Sequence, residues 1–143
     1  MEEVRNLLHG INRKYNLLLK NYCKEVEGNI SLVHCQILFE LQHHNQPSMQ
    51  QVADLIGADI TTFSRQIQSL MKADLVKKSA NPDDKRIYFL TLTEKGKQTA
   101  EKIDLLMKES LTDGFSHLSE FERSTVMHSL KLVTQQMRPP SPL

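Results

Sequence analysis

Thr61, Thr62, Arg65, Gln68, Ser69 and Lys72 recur at steps of one or three residues within "TTFSRQIQSLMK" and put hydroxyl, amide, guanidinium and ammonium groups close together without a single carboxylate. On a helix turning about 100° per residue, Thr61, Arg65, Gln68 and Lys72 share one face, flanked by Thr62 and Ser69 and opposite Phe63, Ile67 and Leu70. Short donors and acceptors of this kind suit the edges of bases in a DNA major groove, and the cations suit phosphates. A solvated helix face is the plainer reading, although such faces usually mix Glu and Asp with Lys. A second basic group lies at Lys85 and Arg86, just after "NPDD".

The elements that must position these groups follow from local signals. Ser48 with Gln51 three residues on reads as a capping box, and Met49, Val52, Ala53 and Ile56 form a short apolar stripe that Gly57 ends. Asp59 can cap the next helix, with Ile60, Phe63, Ile67, Leu70 and Met71 facing inward. Two short helices joined by a glycine-containing turn form a helix-turn-helix pattern. "LVKKS" and "RIYFLTLT" are two β-prone runs, the second with Tyr88, Leu90 and Leu92 on one face, joined by the turn-forming residues from Ser79 to Lys85.

Around this centre the chain is helical. Val4, Leu8, Ile11, Tyr15, Leu18 and Tyr22 alternate by three and four, predicting a first helix with one apolar face that ends by Gly28 and Asn29. Ser31 can cap a second, carrying Leu32, Cys35, Leu38, Phe39 and Leu41, which stops before Pro47 because proline disfavours helical geometry at Gln46. Thr93 caps a long helix through Ala100, Ile103 and Met107 to about Phe115. Ser119 with Glu122 opens the last, with Phe121, Met127, Leu130, Val133 and Met137 on its apolar positions, ahead of a frayed tail at 139–143.

Composition sets the frame. The 143 residues, 39% hydrophobic and 24% charged, suit one globular domain that can bury a core. No run approaches the 18 or so apolar residues of a membrane span, and "MEEVRNLLHG" lacks the pattern of a secretory signal, so a cytoplasmic protein is expected. The net charge of +1 is unevenly spread: Thr61 to Lys97 holds eight basic and four acidic residues, the rest ten and thirteen. A local positive lobe on a near-neutral chain is what a phosphate-facing surface requires.

The whole order of elements, and the wing above all, resembles the MarR (multiple-antibiotic-resistance regulator) family of winged-helix transcription factors, over about residues 5 to 138. Asp84, Arg86, Leu90, Leu92, Thr93 and Gly96 stand where that family shows D-x-R, alternating apolar residues and L-T-x-x-G. The resemblance implies a mainly α fold with a β-hairpin wing, one domain over 1–143. Its helix-turn-helix lobe would span 31–97, with dimerisation helices in 1–30 and 98–138. It implies a homodimer gripping a pseudo-palindromic duplex, with Arg86 entering the minor groove and Asp84 orienting it. For Asp84 a turn-forming role is an equal alternative. Two departures stand out: Asp74 where glycine is common after the recognition helix, and a wing reading Asn81 to Lys85 in place of D-P-x-D-R-R.

The resemblance also implies an effector, generally a small molecule, a metal or an oxidant; no cofactor is expected. Cys23 and Cys35, in the first two helices beside the implied effector cleft, are expected as thiols that pack, with redox or thiophilic-metal sensing as the alternative. His43 and His44 point about 100° apart on a helix and suit a solvated helix end better than one metal ion. No Gly-rich phosphate loop, H-E-x-x-H or G-x-S-x-G motif suggests an enzyme. A winged helix that binds protein, as an antirepressor does, would favour acidic residues at Arg65, Lys72 or Arg86.

Overall fold

The computed structural model describes residues 1–138, and the tail expected at 139–143 lies outside them. Its elements are α1 (Glu2–Val26), α2 (Leu32–His43), α3 (Met49–Ile56), α4 (Ile60–Lys72), β1 (Val76–Ala80), β2 (Tyr88–Leu92), α5 (Glu94–Ser116) and α6 (Glu120–Gln136). The chain divides into two compact units, residues 1–107 and the residues from 108 onward.

From α2 onward each helix start in the first unit has an identifiable cause. At α2 the Ser31 hydroxyl accepts from His34 N–H at 3.3 Å, while Ser31 N–H donates to His34 Nδ1 at 3.1 Å. Histidine thus fills the role that Glu or Gln usually plays in a reciprocal cap. At α3 the Ser48–Gln51 box forms as expected. Gly57 closes that helix at φ 70°, a left-handed conformation that glycine adopts at no steric cost. Gln46, directly before Pro47, also sits at positive φ, 45°.

The core of this unit gathers Ile37 and Leu38 of α2, Val52 of α3, Phe63, Ile67 and Leu70 of α4, Leu75, and Leu90 of β2, all 1% exposed or less. Burying one such side chain contributes about 1.5–3 kcal/mol, so these positions fix the angle at which α4 leaves the lobe. Ile60 and Met71, expected to face inward, are exposed: they sit at the two ends of α4, where the helix runs past the core. In α1 only Leu19 and Cys23 are buried, whereas Val4, Ile11 and Tyr15 of its predicted apolar face remain exposed.

β1 and β2 pair antiparallel from Val76 opposite Leu92 to Ala80 opposite Tyr88. Ser48 bridges to Phe89, and Leu90 N–H donates to the Pro47 carbonyl at 2.9 Å, so the hairpin is anchored to the segment before α3. Of its expected apolar face Leu90 is buried and Leu92 half-buried, but Tyr88 is exposed.

The hairpin root is tied a second time. Thr93 Oγ1 donates to the Asp74 carbonyl at 2.6 Å and accepts from Gly96 N–H at 2.9 Å, and Thr93 N–H donates to the Leu75 carbonyl at 3.0 Å. Asp74 occupies φ 58°, the left-handed turn that its type tolerates better than most. This is the physical content of L-T-x-x-G: threonine caps α5 while clasping the turn behind α4, and glycine leaves room for the Leu75 backbone.

Cys23 and Cys35 are joined as a disulfide between α1 and α2, with Cα atoms 6.3 Å apart, both buried. The expectation of free thiols is corrected here. Twelve residues separate them in sequence, but the α1–α2 turn folds the two helices together and brings both side chains into one apolar layer.

In the second unit α6 opens with the Ser119–Glu122 capping box. None of its residues is buried, and Phe121, Met127, Leu130, Val133 and Met137 are all exposed.

Candidate nucleic-acid interface

The exposed face of α4 is set by its cap and its core contacts together. Asp59 accepts from Thr62 N–H at 3.0 Å and from the Thr62 hydroxyl at 2.8 Å, which holds its carboxyl below the usual range, the backbone donor contributing most. With the first turn fixed and Phe63, Ile67 and Leu70 buried, Thr61, Thr62, Arg65, Gln68, Ser69 and Lys72 are all exposed. Two of them are partly committed internally: the Thr62 hydroxyl proton goes to Asp59, and Ser69 Oγ donates to the Arg65 carbonyl at 3.2 Å.

The wing tip is more ordered than its exposure suggests. Asn81 Oδ1 accepts from Asp83 N–H at 2.9 Å, and Asn81 N–H donates to the Ile87 carbonyl at 2.8 Å, closing the turn. Asp84 Oδ1 accepts from Arg86 N–H at 3.0 Å and from Arg86 Nε at 3.1 Å, while Oδ2 accepts from Nη2 at 3.1 Å. The two readings of Asp84 therefore coexist: one carboxylate forms the turn and grips the guanidinium bidentately. These bonds hold the Asp84 carboxyl below its ordinary range, led by the guanidinium, and raise the arginine further. The Arg86 side chain stays 90% exposed. The pair adds little to stability and fixes the direction of the arginine fork. Lys85 is exposed.

Helix and wing meet. Ser48 and Gln50 at the start of α3, Ile60 and Ser64 on α4, and Lys78 and Arg86 on the wing line one open groove. Lys78 Nζ stands 4.2 Å from the centroid of the Tyr88 ring, a cation–π contact that spacing had not singled out.

Of the expected DNA-contacting residues only Arg86 lines this groove; Thr61, Thr62, Arg65, Gln68, Ser69 and Lys72 lie outside its lining, and the expected sensing residues stand apart from it as well. Cys35 lines a cavity in the 1–107 unit together with Leu19 and Met107, and Cys23 lies behind it in the core. His43 and His44 sit at the end of α2 with Nδ1 atoms 2.8 and 2.9 Å from the Phe39 and Glu40 carbonyls. Both therefore close a helix terminus.

A helix-turn-helix whose second helix is followed by an anchored two-stranded wing defines the winged helix-turn-helix class. The profile of the MarR family matches residues 30–88, from the start of α2 to the beginning of β2. The winged-helix segment belongs to the MarR family. The uncharacterized HTH-type transcriptional regulator YwaE of Bacillus subtilis (strain 168) is 25% identical over 109 residues, 76% of this chain and 64% of its own length. FabT of Streptococcus pneumoniae, in complex with DNA, superposes with a TM-score of 0.83 at 16% identity, covering 94% of each chain. A mutant of E. coli MarR complexed with operator DNA superposes at 0.74, with 23% identity over 92% of this chain and 93% of that one.

Proposed function

We propose that this protein is a sequence-specific, double-stranded-DNA-binding transcriptional regulator that acts as a homodimer and answers to a small effector, with repression as the expected sense. One observation carries this reading: α4 exposes six polar or basic side chains with no carboxylate among them, and through Ile60 and Ser64 it borders the same groove as the braced arginine of the wing. Thr61, Thr62, Arg65 and Gln68 are assigned to base edges, Ser69, Lys72 and Lys85 to phosphates, and Arg86, oriented by Asp84, to the minor groove. The DNA-bound FabT and MarR structures share the fold and support duplex DNA as the partner.

Dimerisation is supported by apolar surface. On α1, Val4, Leu7 and Ile11 are exposed, and α6 carries five exposed large hydrophobics without burying one residue. A helix of that kind usually gains its stability from a partner. A second copy using residues 1–30 and 98–138 would cover it and present two lobes. Half-sites should then be centred about one helical turn, roughly 34–36 Å, apart.

Footprinting on the DNA upstream of its own coding sequence should show two protected half-sites; a single one would refute the dimeric arrangement. The Cys23–Cys35 pairing favours a redox-responsive variant of the same reading. DNA affinity that differs between reduced and oxidised protein, and does not in Cys23→Ser, is the test.

A further inference from the structure

A cavity of about 220 Å³ lies within the 1–107 unit, bordered by α1, α2 and α5. Leu19, Leu38, Ile103 and Met107 give it an apolar floor, and the rings of Tyr15 and Phe39 stand at its sides. Its charged lining is of one sign: Glu40 and Asp104, with no lysine, arginine or histidine. A site of roughly 150 Å³ accepts one benzene ring, so this one suits a ring carrying a short chain.

The sign of the lining discriminates among ligands of that size. A carboxylate brought inside would stand against like charge. A protonated or quaternary amine would meet opposite charge and two ring faces. Neither carboxylate is idle, since Glu40 Oε2 lies 3.3 Å from His44 Nδ1 and Asp104 has a contact of its own. They leave the lining with two carboxylates and no cation. The Tyr15 hydroxyl at the cavity wall titrates above its ordinary value, first through burial and then through Asp104.

We propose that this cavity binds small arylalkyl ammonium cations and rejects carboxylates of the same shape. Its regulatory consequence rests on the effector-responsive reading above; the binding itself does not. The probes are 3-phenylpropylammonium, 3-phenylpropanol and 3-phenylpropionate, titrated calorimetrically into the full-length protein. The ammonium should bind saturably, at least about ten-fold more tightly than the alcohol, and the propionate least. Glu40→Gln and Asp104→Asn should each weaken the ammonium by roughly ten-fold and narrow its margin over the alcohol. Equal binding of ammonium and propionate, an unchanged ammonium affinity when both carboxylates are replaced in a protein whose circular dichroism is unaltered, or no saturable binding would each overturn the proposal. The order of the three ligands on the parent protein decides the matter even where a variant fails to fold. Anisotropy of a labelled upstream fragment separates the two readings. Ammonium failing while DNA binding persists sinks the ligand class alone, and absent DNA binding without ligand sinks the regulator.

Discussion

Replacing Gly96 by Ala tests whether the wing root is as tightly clasped as its hydrogen bonds imply. A Cβ at position 96 would fall on the carbonyl oxygen of Leu75, a backbone atom that cannot swing aside as a side chain would. That carbonyl already accepts from Thr93 N–H, and Leu75 itself is fully buried. Overpacking of this kind costs about 1–3 kcal/mol, and a weakened buried hydrogen bond adds about 1 kcal/mol. Alanine returns about 1 kcal/mol as the better helix former, since Gly96 lies in the first turn of α5. The net destabilisation is therefore about 1–3 kcal/mol. Urea denaturation followed by circular dichroism, at equal protomer concentration for both proteins, should show a lower midpoint with an unchanged slope. DNA affinity should fall with it, because the shift displaces both strands of the wing from α4. A midpoint equal to or above that of the parent would refute the clasp, since helix propensity alone predicts stabilisation.

Asp74→Gly should act in the opposite direction, stabilising by about 0.5–1 kcal/mol in the same assay because φ 58° suits glycine. Reducing the Cys23–Cys35 bond should cost up to about 3 kcal/mol on the loop-entropy estimate for its 12-residue separation, read as a lower melting temperature with dithiothreitol. The His34 imidazole titrates below its usual 6.5, chiefly through burial. A histidine kept neutral contributes stability that is whole above about pH 6.5 and erodes as pH falls below it, and His34→Gln should flatten that slope in a pH series of melts. Lys72→Ala should weaken all DNA sequences alike and lower the salt dependence by about one phosphate, whereas Arg65→Ala should cost about 1–3 kcal/mol at the preferred site and relax its base preference. Two variants with identical sequence profiles would remove the division between base and phosphate contacts.

What could be read without coordinates divides along a physical line. Signals confined to a few neighbouring residues were legible: the Ser48 and Ser119 boxes, the Asp59 cap, Gly57 and the turn at Asn81 each act through hydrogen bonds two to four positions away. Periodicity identified Phe63, Ile67 and Leu70 as the buried side of α4, and so exposed the opposite side as the candidate surface. It overreached at Ile60 and Met71, because a helical stripe does not reveal where the core ends. It also placed an apolar face on α1 and α6 correctly by type, but not its burial, because that depends on what covers each face. Long-range pairings left no local trace. Thr93 reaches back 19 residues to Asp74, and Cys23 meets Cys35 only after the α1–α2 turn closes. The cation–π contact of Lys78 with Tyr88 follows from a strand register in which Lys78 pairs with Leu90, two residues from that ring. Such contacts determine how stiffly the wing is held. Stiffness decides whether Arg86 meets DNA as a braced fork or as a free side chain that must lose rotamer entropy on binding. Breaking the brace with Asp84→Asn separates these cases. A pre-ordered arginine predicts weaker DNA binding after removal of this acidic residue, the reverse of what a purely electrostatic surface would show.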